Sequence, residues 1–396
     1  MKILQIAHPN VPVMGITGGY GGLEEVVVTL DNAYTRLGHQ SFVVASSDSE
    51  LNGTLLPTIK SLYGPGNGHM KANLKHIGEG FQEHSKRALE HIRKIKPDII
   101  HDHTGYHPDR SFSEKLFDVK KGLRTPGEIA SEKFPPILNT IHGYPNKENE
   151  KMYLGFPKLF AGKNIHFNAV SQFQRAIFRD ILEIDFVVLN AVDVDSYIFG
   201  EKGKGYVFSM GSIYKGKGTH EAVNTALALD KKLILAGSYF HNVDYWKSEI
   251  ASKIDRTELR VPTHQLKSLA EEFVESEDKV LYLGELGAAE KRIIYSGADA
   301  FYFPVTIDET FGLVSAEANA SGVPVVSYLS GGVPEVILHG KTGYTVKKGD
   351  QNKFIHAASE VESLSRIDCR KWAKDHFDAT RQAKNYLDIY MNLIEK

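Results

Sequence analysis

Cysteine is almost absent from the 396 residues, the one thiol being Cys369. A single cysteine cannot close an internal disulfide, so a disulfide-stapled secreted scaffold is excluded and a reducing compartment fits. In its helical surroundings Cys369 is expected to be a buried, inert thiol rather than a nucleophile. Excess charge is lacking too. There are 47 Lys and Arg against 49 Asp and Glu, a formal net charge of -2, so no basic field marks nucleic acid or an anionic membrane as the main partner. No run approaches the ~20 apolar residues of a membrane span, which leaves peripheral contact as the most a membrane could have. The opening MKILQIAHPN carries a strand-length apolar run, too short for a signal peptide, and a cytoplasmic location is the expectation.

What is present is the composition of a folded protein, 42% apolar and 24% charged. A chain of this length exceeds one ordinary core, and two α/β domains are the natural division. The first half opens with a strand from Lys2 to Ala7, then a glycine-rich loop from Gly15 to Gly22. Leu23, Val26, Val27, Leu30, Tyr34 and Leu37 come next at helical spacing, with Gly38 placed as a C-cap. Phe42 to Ala45 is the next strand, and this β-loop-α-β order opens a parallel sheet. Further strands read at 98–101, 137–141 and 166–170. Residues 105–135, polar and rich in proline, read as a surface excursion. The pattern then restarts: a strand from Tyr206 to Met210, a loop from Gly211 to Gly218, a helix from Thr219 to Leu229, and short apolar strands up to Ser327. The expected domains are 1–190 and 205–375, followed by a C-terminal helix, 376–396. The polar linker Asp193–Gly205 fits a hinge.

The candidate chemistry lies in loops at strand ends. Gly18, Gly19, Gly21 and Gly22 stand between a strand and a helix, where bare backbone can approach a phosphate and helix N–H groups can donate to it. The loop Gly211-Ser-Ile-Tyr-Lys-Gly-Lys-Gly218 holds the same place in the second half and adds Lys215 and Lys217, suited to a diphosphate. In Asp308-Glu-Thr-Phe-Gly-Leu-Val-Ser-Ala-Glu317, Glu309 falls in the loop at the mouth of the sheet and Glu317 about two turns further, roughly 11 Å along a helix. One carboxylate can accept both hydroxyls of a ribose while the other meets a sugar beyond the diphosphate. His142, in Thr140-Ile-His-Gly143, falls at a strand's carboxyl end, where open α/β sheets bind ligands. His101-Asp102-His103, with His107 close by, looks like a metal-binding pair but lacks a ligand set at recognisable spacing. No metal is expected.

Together these residues resemble the retaining glycosyltransferases of the GT-B fold, glycosyltransferase family 4, over nearly the whole chain. Gly21-Gly22-Leu23-Glu24 is similar to the family's GG-x-E opening. Pro97 to His103, Thr140 to Gly143, Ala169-Val-Ser171 and Asn190-Ala-Val-Asp193 resemble successive strand and linker motifs. Glu309 to Glu317 has the family's E-x7-E spacing, and Ser330 to Glu335 and Gly340 to Gly343 match the family's next two segments. The resemblance implies two Rossmann-like, doubly wound domains facing a central cleft that binds a nucleotide sugar, a UDP-sugar first and GDP-mannose next, with a small-molecule or glycan acceptor, and a C-terminal helix, 376–396, that crosses back to the first domain. It implies that Glu317 binds the ribose and that Glu309 faces the donor sugar. The N–H groups of Phe311, Gly312 and Leu313 would contact sugar or phosphate. His142 would lie near the anomeric centre, Gly21 and Gly22 near the diphosphate, and Lys217 would hold the phosphate. No covalent nucleophile is evident, so front-face attack assisted by the leaving phosphate is implied, with no cofactor. Ser212 replaces the arginine that would neutralise the leaving diphosphate, with Lys215 as the nearby substitute. That departure leaves a non-catalytic nucleotide-sugar-binding protein open as a reading. A sugar-nucleotide epimerase of the same fold, or a metal-dependent hydrolase using His101 and His103, also stays open.

Overall fold

In the first half of the chain, the central strands are buried on both faces although they carry polar residues at their carboxyl ends. Ile99–Asp102 and Ile137–Ile141 have no exposed residue, as expected of a parallel sheet covered on both sides. The structure, a computed structural model, describes residues 1–14, 22–62, 74–105, 110–240 and 242–395. It divides into two units, residues 1–190 with 379–396, and residues 191–378.

The first unit is a seven-stranded sheet in the order β3-β2-β1-β4-β5-β6-β7. Its strands are β1 Lys2–Ile6, β2 Gln40–Ala45, β3 Thr54–Pro57, β4 Ile99–Asp102, β5 Ile137–Ile141, β6 Ile165–Ala169 and β7 Phe186–Val187. All pairings are parallel, with Ile3 opposite both Ser41 and Ile99. The strand order reverses between β1 and β4, the switch point where such sheets open a crevice. Helix α1, Gly22–Arg36, buries Val26, Val27, Leu30 and Tyr34, the stripe its spacing predicts. Helix α2, Leu74–Ile95, lays Ala88, Leu89 and Ile92 against Leu4, Ile6 and Ile100.

The stretch 105–135 is more than a surface excursion. Its helix Phe112–Phe117 puts Phe112 and Leu116 into that same core, both fully buried. Proline and polar residues mask this in the sequence, because the helix is short and only two of its apolar side chains, Phe112 and Leu116, are fully buried.

The second unit has its own seven-stranded parallel sheet, β10-β11-β9-β8-β12-β13-β14. Its strands are β8 Tyr206–Met210, β9 Lys232–Ala236, β10 Arg256–Thr257, β11 Val280–Tyr282, β12 Ala298–Phe303, β13 Val325–Tyr328 and β14 Gly343–Val346. Here the order reverses between β8 and β12. Helices α3 Thr219–Ala228, α4 Ala288–Gly297, α5 Leu313–Ala320 and α6 Arg366–Phe377 belong to this unit. The core joins Val207, Leu233, Leu235, Tyr302 and Val326 of the strands to Ala222, Val223 and Phe354 of the helices. Residues 191–204 are tied into this unit rather than spanning free. The Val192 N–H donates to the Phe377 carbonyl at 2.9 Å, and the Gly200 N–H donates to that of Ser321 at 3.0 Å.

Helix α7, Ala379–Ile394, groups with the first unit. The apolar series from Trp372 to Leu393 is therefore two helices. The break falls at Asp378, whose backbone is extended (φ -76°, ψ 138°). Trp372 and Phe377 serve the second unit, and Tyr386, Tyr390 and Leu393 the first. Among the described residues no helix is long and apolar enough to cross a membrane.

Candidate active site

At the switch point of the second unit, the loops after β8 and β12 are pinned together. The Thr306 and Ile307 N–H groups both donate to the Gly216 carbonyl, at 2.9 and 3.2 Å. This brings Lys217, from the first loop, into contact with Glu309, from the second, and both side chains stay partly exposed. The Lys217 ammonium also lies 5.7 Å from the centre of the Phe303 ring. Lys215, two residues away, is exposed, and Ser212 is half-buried.

Glu309 is held by its backbone. The Gly332 N–H donates to the Glu309 carbonyl at 2.7 Å. Gly331 adopts φ +58°, and a Cβ there would collide with the Glu309 main chain. Only glycine combines that conformation with so close an approach. Helix α5 then starts at Gly312, φ +94°, with no side chain capping it. Its first N–H groups, in the turn of Phe311, Gly312 and Leu313, are thus placed to receive an anion. Phe311 itself is buried against Phe377, their ring centres 5.6 Å apart.

Glu317 sits one turn into α5 and is 2% exposed. Its Oε1 accepts from the Lys291 Nζ at 2.7 Å, and Lys291, on α4, is itself buried. A buried carboxylate needs such a partner to stay charged. Lys291 is a residue that sequence reasoning missed. The signal was available: Lys291, Ile294 and Tyr295 share the buried face of α4, and a lysine on an apolar face demands a counter-charge.

The first unit gathers imidazoles at the carboxyl ends of β1, β4 and β5. His142 and His103 are hydrogen-bonded through Nε2 and Nδ1 at 3.0 Å, their rings stacked with centres 5.3 Å apart. Burial pushes His142 down to about 4, and takes His101 and His103 well below the ordinary histidine value. At neutral pH His142 is therefore an uncharged group, able to donate or accept one hydrogen bond but not to act as a cation.

His101, grouped with His103 in the sequence, does a different job. Its Nε2 is bonded to the Thr140 hydroxyl at 2.7 Å and its Nδ1 to the Tyr390 hydroxyl at 2.6 Å. Asp102 accepts from the N–H and hydroxyl groups of both Thr104 and Ser113, at 2.6 to 3.0 Å. Both are structural members of the sheet edge. Among the described residues no group of three His, Cys, Asp or Glu is arranged to hold a metal ion. Cys369 is buried and pushed up to about 12 by that burial.

Glu309, Lys217, Ser212, Lys215, Phe311, Gly312, Leu313 and Glu317 all fall in the two switch-point loops and helix α5 of the second unit, and His142 in the first unit. Gly22 begins α1. Gly21 and the preceding glycines, like His107, lie outside the described residues.

Comparison with known proteins agrees with this architecture. Among solved structures, a sucrose-phosphate synthase from Thermosynechococcus elongatus matches with a TM-score of 0.70 at 15% identity, over 99% of each chain. HepE of Anabaena, in complex with UDP and glucose, gives 0.63 at 17% identity over 98% of this chain and 99% of that one. Two Rossmann-like units of seven strands each, matched in this way, make the chain a protein of the GT-B glycosyltransferase fold. More particularly, residues 198–376, most of the second unit, match the family model of glycosyl transferases group 1. Among curated proteins, N-acetyl-alpha-D-glucosaminyl L-malate synthase of Bacillus anthracis is 32% identical over 124 residues, 30% of this chain. The matched stretch spans about a third of that relative's length.

Proposed function

We propose that the chain is a retaining glycosyltransferase that moves a hexosyl group from a nucleotide sugar, with a UDP-sugar as the leading donor and GDP-mannose next, to a hydroxyl acceptor. One observation carries the reading: both carboxylates of the E-x7-E element stand at the switch point of the second unit, within the stretch that matches the group 1 family model, each matched to a lysine. Glu317, kept charged by Lys291, accepts hydrogen bonds from the ribose hydroxyls with its remaining lone pairs. Glu309 and Lys217 neutralise each other until a donor arrives. The diphosphate competes for the lysine and frees Glu309 for the hydroxyls of the donor sugar. The open N–H groups at the start of α5 point at the same anion.

Negative charge grows on the diphosphate as the glycosidic bond breaks. Lys217, with Lys215 beside it, offsets that charge where Ser212 cannot. The leaving phosphate oxygen takes the acceptor proton, so the new bond forms on the face the nucleotide leaves. The neutral His142 contributes a hydrogen bond near the anomeric carbon rather than a charge. The HepE structure, in complex with UDP and glucose, supports UDP as the first nucleotide to try.

The test has two stages. Thermal-shift measurements against UDP-, GDP-, ADP- and TDP-sugars identify the donor. Incubation of that donor with an acceptor panel, and then NMR of the product, reads the anomeric configuration. Stabilisation by a UDP-sugar and an α-linked product are expected. An inverted product would remove the front-face mechanism. Donor binding without transfer to any acceptor would favour the non-catalytic alternative raised by Ser212.

A further inference from the structure

Side chains on a strand alternate between the two faces of its sheet, so residues two apart share a side. His101 and His103 therefore share one at the carboxyl end of β4. Asp102 stands opposite Asn139 in the register of β4 and β5, which puts Thr140 and His142 on that same side. Two histidines thus meet across neighbouring strand ends, with His103 Nδ1 and His142 Nε2 3.0 Å apart.

His103 is the fixed member of this pair. Its backbone N–H donates to the Ile6 carbonyl at 3.0 Å, and its ring lies against that of His101, their centres 4.0 Å apart. His101 is itself tied at both nitrogens, to Thr140 and to Tyr390. His103 is fully buried, whereas His142 is partly exposed. Apart from the bond they share, neither ring has a hydrogen bond to a described residue.

A neutral imidazole carries one N–H and one lone pair, and burial holds both rings neutral. Their hydrogen bond can be made in two ways. In the first, His142 donates from Nε2. The proton of His103 is then on its own Nε2, buried, with no acceptor among the described residues. In the second, His103 donates from Nδ1, and only a lone pair is left at its Nε2. An N–H stranded in the interior is the rarer defect in folded proteins, and it forfeits about 1–3 kcal/mol. The outer nitrogen of His142 does not weigh in the choice, because at a partly exposed position it can meet water in either form.

We propose that His103 is a positioning residue, which donates from Nδ1 to His142 Nε2 and so holds His142 as the Nδ1–H tautomer. His142 then presents a proton, not a lone pair, to the group in front of it. It meets an oxygen that accepts a hydrogen bond, and it cannot take the proton of an acceptor hydroxyl. The role in sugar transfer rests on the glycosyltransferase reading, and the tautomer on the first unit alone.

The test is the imidazole NMR spectrum of the full chain with nitrogen-15 in its histidines, at neutral pH and without nucleotide. The signals of the two rings are assigned by their loss in His103→Leu and in His142→Gln. Both rings of the parent are expected in the Nδ1–H form. In His103→Leu the His142 ring should gain the Nε2–H form, and turnover should fall about tenfold, the worth of one hydrogen bond. His103→Asn, whose amide N–H can stand in for the Nδ1–H, should restore both the tautomer and most of the rate. A role in packing alone would lower stability in both variants and leave the His142 tautomer where it was. An Nε2–H form of His142 in the parent would overturn the proposal, as would an unchanged His142 tautomer in His103→Leu. The parent spectrum decides even where the leucine variant fails to fold. A parent with the Nδ1–H form that transfers sugar to no acceptor would sink the transferase reading and leave the tautomer standing.

Discussion

Lys291 and Glu317 bury opposite charges 2.7 Å apart, at 7% and 3% side-chain exposure. Removing one partner of such a pair strands the other, at a cost of about 3–5 kcal/mol. Glu317→Gln and Lys291→Met should therefore each lower stability by roughly that amount in urea denaturation. The double variant should recover most of it, because neither charge is then left alone. Additive losses would mean that the pair is not coupled. Lys217 makes a different prediction, because its contact with Glu309 is partly exposed. Lys217→Ala should leave stability near the parent's and lower turnover on the order of 10²-fold, since the charge it meets develops in the transition state. Lys215→Ala should do so less severely. If both variants turn over like the parent, the diphosphate is held elsewhere. Glu309, Glu317 and Lys217 were legible in the sequence because their spacing and their place after strands are local properties. Lys291 was not, because its partner lies on another helix, 26 residues away.

Helix α7 closes over the buried end of the first unit's sheet with a line of hydroxyls. The Tyr34 and Tyr390 hydroxyls are hydrogen-bonded at 2.9 Å, Tyr390 continues to His101 at 2.6 Å, and His101 to Thr140 at 2.7 Å. Asn168 donates to the hydroxyl of Tyr386 at 3.0 Å. Tyr390→Phe would leave a buried imidazole nitrogen unsatisfied, a loss of about 1–3 kcal/mol in chemical denaturation. A change below a few tenths would show that this network contributes nothing.

The same histidines set a pH dependence. Burial lowers His8, His84, His101, His103 and His142, with His142 near 4 and His84 near 3. The unfolded chain takes up protons at these residues around pH 6.5 while the folded one does not, so stability falls as pH drops from about 6.5 toward 4. Glu24 acts in the opposite sense. Burial raises it to about 7, so the fold binds its proton first and gains stability as pH falls through 7 toward 4.5. The histidines outnumber it. The melting temperature should be lower at pH 5 than at pH 7.5, and the drop between the two should be larger in Glu24→Gln, which lacks the opposing gain. His142 ring resonances that titrate near 6.5 would contradict this account. Periodicity revealed α1 well, since its apolar stripe is local. It started the last helix at 376 rather than at Ala379, because the break at Asp378 is one extended residue with neither proline nor glycine to mark it. Strands such as β7 and β10, two residues each, exist only through their neighbours and leave no pattern to read.

At the scale of the whole molecule, two sheets of one topology class carry different duties. The second holds the carboxylates matched to lysines, within the stretch that matches the group 1 family model. The first holds neutral imidazoles at the carboxyl ends of its strands. The repeat of strand, glycine loop and helix was readable because each half restarts the same pattern, and that repeat alone divides the chain near the boundary at residues 190 and 191. The return of α7 to the first unit has no such local signature. It was expected from the family resemblance alone, and the structure packs Tyr386 and Tyr390 of α7 against His101. The central claim is that Glu317 receives the ribose of a nucleotide. It is tested most directly by titrating UDP into the parent and into the Glu317→Gln/Lys291→Met double variant, which keeps the fold without the buried charges. The account predicts that the parent binds UDP and that the double variant loses about 1.5–3 kcal/mol of binding free energy, roughly ten- to more than a hundredfold in Kd. Equal UDP affinity in the two proteins, with both folded, would contradict it.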